Sequence, residues 1–343
     1  MKMYNKLRFF KDLISCRITN RNIPLYVYWF ITDNCNLKCQ FCYGVNPGNS
    51  AEDLSTEDIL KIADELIKIG TRRITLLGGE PLLREDINLL LDKLYDNNVS
   101  VLLLTNGTLL PQKQSVLDKI EEIGFSIEGR KETHEKLCGK NSFSGLVEAI
   151  RIAKQNKTPV VLTYTMVKQN IDDLEYVLDF AKSNKVLLTI NVAHRRIDDK
   201  KAGNDFKADN DKYRRALEII MKHRRKGAAV LRAVNTLKQM YSWEDYQTDT
   251  ADTAPGKGFP ECSFGKLAAC VSAQGNIYPC FVGSSPSEGI NILDHGIHKA
   301  WDHCMRMEHC KFCHIPCFLE YNALFALKPY VVVNIIKKII LKI

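Results

Sequence analysis

Three cysteines in one short stretch carry the most specific chemistry in this chain. They lie in Thr32-Asp-Asn-Cys35-Asn-Leu-Lys-Cys39-Gln-Phe41-Cys42-Tyr43, directly after the apolar run Leu25–Ile31. Thiolates bind zinc and iron–sulfur clusters, and a cubane cluster is normally held by four of them. Three thiolates from one loop leave one metal position without a protein ligand. Catalytic metal sites keep such a position, whereas structural sites close it. The plainer alternative is that these cysteines are three of four ligands of a structural zinc or of a closed ferredoxin-like cluster.

The other cysteines are unevenly spread. Of twelve in 343 residues, Cys16 and Cys138 stand alone, and seven crowd between positions 262 and 317. A secreted disulfide scaffold would be shorter and more evenly laced, so the clusters read as metal ligands in a reducing, cytoplasmic setting. The remaining composition is that of an ordinary globular protein, with 45% apolar and 26% charged residues. A formal net charge of +8 is modest. Its basic groups, Arg195–Arg196, Lys200–Lys201 and Lys222–Lys226, are interleaved with acids or lie on an expected helix, which argues for a solvated face and no nucleic-acid partner. No signal peptide is expected in residues 1–24, and no apolar run is long enough to span a bilayer.

The elements that must position the cysteine loop are legible from periodicity. Leu25–Ile31 reads as a strand, Ser55-Thr-Glu-Asp58 as a helix start and Gly70 as that helix's C-terminal cap. Strands follow at Arg72–Leu77, Val99–Leu104, Ile123–Ile127, Pro159–Met166 and Val186–Val192. Helices are expected between them at Glu85–Asn97, Gln112–Glu122, Phe143–Asn156 and Asp172–Asn184. Six strands alternating with helices imply parallel pairing through right-handed crossovers, with ligands bound beyond the carboxyl ends of the strands. The cysteine loop, Gly78-Gly79-Glu80-Pro81 and Thr105-Asn106-Gly107 all follow strands at that end. Residues 1–24 read as a short lead-in and 194–211 as a polar linker or excursion. A helix spans Asn210–Lys226, and 228–261 is poorly patterned.

The cysteine loop, with its aromatic before the last thiol, resembles the signature of the radical S-adenosylmethionine (SAM) enzymes. The resemblance implies an α/β fold, a partial (β/α)6 TIM-like barrel. It further implies that Cys35, Cys39 and Cys42 hold a catalytic 4Fe–4S cluster whose open iron chelates SAM. Phe41 and Tyr43 would shape that loop. Gly78, Gly79 and Glu80 match the family's motif for the amino group of SAM, and Thr105 and Asn106 match a feature lining its pocket. Ser126-Ile-Glu128-Gly129 matches the family's Ser-Ile/Leu-Asp-Gly, with glutamate in place of the usual aspartate. His134 and Asn170 stand where relatives often keep these residue types, and Asn170 serves equally as a helix cap. Cys138-Gly139 departs from the family's Arg-Gly, and Cys138 reads as a small buried apolar residue.

Cys262, Cys270, Cys280, Cys310, Cys313 and Cys317 resemble the SPASM/twitch extension of the same family, which implies one auxiliary 4Fe–4S cluster. Two ligand sets compete: Cys262, Cys270, Cys280 and Cys317, or Cys310 and Cys313 with Cys280 and either Cys262 or Cys270. A zinc ribbon from the same residues is the alternative. Cys304, His303, His309 and His314 read as bystanders, with His309 or His314 able to substitute as a ligand.

The expected division is therefore 1–24 lead-in, 25–227 core, 228–326 auxiliary cluster domain and 327–343 tail. The tail, with Pro329, Asn334, Lys337, Lys338 and Lys342, reads as a basic amphipathic helix, docked either on the protein or peripherally on a membrane. The family further implies a reductant such as flavodoxin or ferredoxin, and a substrate that is a peptide, a cofactor precursor or a lipid. Peptide or cofactor maturation is the expectation, with isoprenoid lipid synthesis and a non-enzymatic iron–sulfur scaffold as alternatives.

Overall fold

A computed structural model describes residues 3–42, 52–194 and 206–341. Helix α1 (Met3–Thr19) occupies most of the expected lead-in. It forms because Leu13 and Cys16 bury against the aromatic face of β1 (Tyr26–Phe30), a tertiary contact that local periodicity does not reveal. Along β1 the side chains alternate: Tyr26, Tyr28 and Phe30 join one apolar cluster, Val27 and Trp29 the other.

Helix α2 (Thr56–Ile69) starts at Ser55, whose side chain accepts from Asp58 N–H, and ends at Gly70 in the left-handed region. Then follow β2 (Arg73–Leu77), α3 (Ile87–Asp96), β3 (Ser100–Thr105) and β4 (Glu122–Ser126). The helix expected over Gln112–Glu122 is absent. Two 3-10 turns, Leu110–Gln112 and Gln114–Asp118, take its place, and Glu122 begins β4. Pro111 lies inside the first turn, and burying Val116 and Leu117 holds the segment down without a regular helix.

Next come α4 (Lys131–Cys138), α5 (Ser142–Gln155), β5 (Val160–Met166), α6 (Leu174–Asn184) and β6 (Leu187–Val192). Strands β1 to β6 pair in sequence order, all parallel, as the alternation of strands and helices requires. Beyond β6 lie α7 (Asn210–Arg225) and α8 (Val234–Tyr241), the latter in a region without clear sequence pattern.

The cysteine-rich segment contains β7 (Thr250–Ala251), β8 (Ala268–Val271), β9 (Asn276–Tyr278), β10 (Ile290–Asn291), α9 (Ile292–His295), α10 (Ile297–Arg306), β11 (Phe312–Cys313) and α11 (Pro316–Phe325). Strands β8 and β9 pair as an antiparallel hairpin around Gly275. Strand β8 also pairs in parallel with β1, Tyr28 opposite Cys270, so the sheet continues across the expected boundary at residue 228. The result is a nine-stranded open sheet.

Helix α12 (Pro329–Leu341) closes the chain. Its first turns dock on the protein: Val331 is buried, and Asn334 is buried rather than solvated, as a polar face would have had it. Asn334 Nδ2 donates to Glu320 of α11 at 3.1 Å, and Glu320 also accepts from Ala233 N–H and Thr236 Oγ1 at the start of α8. Glu320→Ala therefore leaves several buried donors unpaired. A loss of about 3 kcal/mol in urea unfolding is expected.

Candidate active site

The turn Gly78-Gly79-Glu80 follows β2 and is clamped to the cysteine loop that follows β1. Gly79 N–H donates to Thr32 O at 2.8 Å, and Glu80 N–H donates to Asn34 O at 2.7 Å. This close approach is why two glycines stand here. A Cβ on Gly78 would lie 2.3 Å from Thr32 O, and one on Gly79 2.1 Å from Asn34 O.

Glu80 is fully buried and its carboxylate is already occupied. Oε1 accepts from Leu82 N–H at 3.0 Å and Thr105 Oγ1 at 2.7 Å, while Oε2 accepts from Asn106 N–H at 2.8 Å. Burial raises its pKa, and these three donors oppose the rise. Glu80 thereby joins the loop after β2 to the loop after β3.

Asn106 continues the chain of contacts. Its Nδ2 donates to Asn36 Oδ1 at 2.8 Å, and Asn36 Nδ2 donates to Thr108 Oγ1 at 2.9 Å. The cysteine loop is held from other sides too. Thr32 Oγ1 and Asn34 Nδ2 both donate to Asp53, and Gln40 N–H donates to Leu137 O at the end of α4. The sequence did not single out Thr32, Asn34, Asn36 or Asp53. Only their spacing around the cysteines hinted at them.

These loops border a cavity of about 230 Å³. Its walls include Cys35, Cys39 and Cys42, together with Phe41, Gly78, Gly79, Thr105, Asn106, Ser126 and Glu128. Every core residue expected at the site therefore lines it except Glu80, which lies behind the wall, and Tyr43, which falls outside the described residues. Among the described residues no three His, Cys, Asp or Glu side chains already converge to hold a metal. The donor chemistry nonetheless fits a cluster, with three soft thiols from one braced loop on the wall of the cavity. Burial pushes the Cys35 thiol up to about 11, with Leu37 N–H donating to its sulfur at 3.4 Å. A metal must displace that proton.

Glu128 is buried in the cavity wall, where burial raises its pKa well above the carboxylate range and Cys39 adds to the rise. Asn170 Nδ2 donates to it at 3.4 Å, and Asn170 Oδ1 accepts from Val167 N–H. Asn170 therefore braces the site from the N-cap position of the 3-10 turn Ile171–Asp173, where its side chain makes no capping bond. His134 Nδ1 accepts from Glu128 N–H at 3.0 Å. Cys138 packs beside Cys39 and hydrogen-bonds to it, which lowers the pKa of Cys39.

Burial holds His134 and His194 at about 4, below the ordinary histidine value. Both are neutral in the fold, whereas the unfolded chain takes up protons below about pH 6.5. Their contribution to stability is complete above that pH and is lost as pH falls toward about 4. Unfolding free energies measured in denaturant are expected to fall by about 2–3 kcal/mol per histidine between about pH 7.5 and about pH 4.5. A flat profile would contradict this.

Several C-terminal cysteines act on one another electrostatically, secondary to burial: Cys262 raises the pKa values of Cys270, Cys280, Cys310 and Cys313, Cys270 raises that of Cys280, and Cys280 and Cys310 raise that of Cys313. Cys262 N–H donates to Lys311 O at 2.8 Å, β11 pairs with β7, and Gly283 leaves room for Cys310, whose sulfur lies 2.8 Å from a notional Cβ there. Cys317 instead lines the active cavity and hydrogen-bonds Tyr28. Cys270 is buried in β8 opposite Tyr28, and Cys304 sits in the larger apolar cluster. His309 and His314 are held elsewhere: His309 Nδ1 by Met307 O and His314 Nε2 by Asp249 at 3.1 Å.

Residues 29–181 match the radical SAM superfamily. The chain is 28% identical over 209 residues to an Fe-coproporphyrin III synthase of Methanosarcina barkeri, covering 58% of this chain and 51% of that protein. It is 32% identical over 174 residues to a GTP 3',8-cyclase of Desulforamulus reducens, covering 48% and 53% respectively. It thus spans about half the length of these curated relatives. Among solved structures, Streptococcus suis SuiB bound to the precursor peptide SuiA has TM-score 0.63 at 16% identity, over 89% of this chain and 72% of that one. Native anSMEcpe with bound AdoMet has TM-score 0.59 at 15% identity, over 91% and 99%. At these identities the likeness is one of fold.

Proposed function

We propose that this chain, whose residues 29–181 match the radical SAM superfamily, cleaves SAM reductively to act on a small cofactor precursor. The observation that carries the reading is the single cavity of about 230 Å³ shared by the three-cysteine loop and the loops after β2, β3 and β4. When bound, the cluster and SAM supply a 5′-deoxyadenosyl radical for hydrogen abstraction. The protein's own part is to hold and to shield. Cys35, Cys39 and Cys42 provide the thiolates, and the clamp through Thr32, Asn34 and Asn106 fixes their loop. Leu77, Phe41, Phe281 and Ile315 keep water from the wall, and Glu128, whose pKa burial raises, presents its carboxyl group in that wall.

The choice of a cofactor precursor rests on the modest size of the cavity, about 230 Å³, and on the relatives named Fe-coproporphyrin III synthase and GTP 3',8-cyclase. A small-molecule fraction of cell extract should raise 5′-deoxyadenosine formation at least about tenfold over background, and a peptide fraction should not. Stimulation by the peptide fraction alone would overturn the choice.

Cys262, Cys280, Cys310 and Cys313 are the ligands proposed for one auxiliary 4Fe–4S cluster, supported by the bond from Cys262 N–H to Lys311 O, between Cys310 and Cys313, and by the packing of the Cys310 sulfur on Gly283, three residues after Cys280. Cys310→Ala or Cys313→Ala should then lower bound iron by about four per chain. Cys304→Ala and Cys317→Ala should leave it unchanged. Zinc in place of that iron would contradict the assignment.

A further inference from the structure

The described residues include nine exposed large apolar side chains, and six of them lie on or beside the two terminal helices: Tyr4, Leu7, Ile14 and Ile18 on α1, Leu327 just before α12, and Val333 within it. On α1 they recur at helical spacing, three, seven and four residues apart, so they form one outward stripe. The stripe is far from bland, because Tyr4, Leu7 and Ile18 are 60%, 63% and 79% exposed. Lys11 falls within it and Arg8 beside it, with Arg17 and Arg21 further along. The only acid on α1, Asp12, is taken by Arg72 at 2.6 Å. The face is therefore apolar and uniformly basic.

The opposite sides of both helices border one cavity. Phe9 and Phe10 of α1 and Val331 and Ile335 of α12 line this second cavity, of about 310 Å³, in the sheet's interior. The sequence adds Lys337, Lys338 and Lys342 to the end of the chain. No described helix is long and apolar enough to cross a membrane.

We propose that the outer face of α1, with the exposed edge of α12, seats this protein on an anionic lipid bilayer. Apolar side chains enter the headgroup boundary while Arg8, Lys11 and Arg17 meet the negative surface. Charge selects this occupant. A second copy of the chain would bring the same basic groups together, and like charges oppose that contact. The inference stands whichever substrate the active cavity takes. It places the 310 Å³ cavity directly behind the lipid contact. That cavity shares Tyr28, Leu104, Thr163, Asn191 and Cys317 with the active one.

The test is co-sedimentation of the full chain with phosphatidylcholine vesicles containing either no phosphatidylglycerol or about 30% of it. Binding is expected only to the anionic vesicles, and it should weaken as salt rises from about 0.1 to 0.5 M. Leu7→Glu combined with Ile14→Glu should lower the partition at least about tenfold. Both sites are exposed, and unchanged circular dichroism would show that the fold is kept. Val147→Glu, an exposed apolar position on α5, should bind as the parent does. Failure of the parent to bind, or unchanged binding by the double variant, would overturn the proposal. So would sedimentation showing that the stripe instead holds a dimer, which the double variant dissociates.

Discussion

Cys35→Ala is expected to abolish 5′-deoxyadenosine formation and to lower reconstituted iron from about eight to about four per chain. The loop that carries Cys35 is fixed by backbone and side-chain bonds from Gly79, Glu80, Asn106 and Asp53, none of which involves the thiol. Removing the thiol therefore leaves the loop in place and deletes one ligand of three. With only two thiolates the site cannot retain a cubane, whereas the distant cysteines around Cys310 keep theirs. The variant should stay folded, with a denaturant midpoint close to the parent's. Loss of all iron, or retention of activity, would contradict this separation.

Glu80→Ala is expected to be the most damaging single change to the core, at about 3–5 kcal/mol in urea unfolding. The carboxylate accepts from Leu82 N–H, Thr105 Oγ1 and Asn106 N–H in a fully buried position. Alanine leaves two backbone donors and a hydroxyl without partners and opens a void beside them. Because Asn106 in turn holds Asn36 of the cysteine loop, the variant should also reconstitute its catalytic cluster poorly. Glu80→Gln keeps one acceptor and the volume, so a smaller loss of about 1–2 kcal/mol is expected. A cost below about 1 kcal/mol for the alanine variant would show that the carboxylate is not the joint between these loops.

Much of this arrangement was legible in the sequence, for identifiable reasons. The β1 to β6 core could be read because each parallel strand is a short, nearly continuous apolar run between helices with clear caps, such as Ser55 and Gly70 around α2. The loops that border the cavity could be placed because they follow those strands directly. What escaped depends on contacts distant in sequence. Helix α1 is held by Leu13 and Cys16 against β1, and its exposed apolar stripe blurs the usual pattern. Strand β8 joins β1 across more than two hundred residues, a pairing no local period announces. The bonds that Glu80 accepts from Leu82, Thr105 and Asn106, and the one from Asn170 to Glu128, also escape the sequence, because a motif shows residue type but not which donors fold against it.

The most direct test of the account is anaerobic reconstitution followed by SAM and dithionite, with 5′-deoxyadenosine as the readout. Formation of 5′-deoxyadenosine that depends on both SAM and reductant, and is lost in Cys39→Ala and Cys42→Ala as in Cys35→Ala, is the predicted result. Full cluster loading with SAM left intact would contradict it, and would make the three-cysteine loop an electron-carrying site.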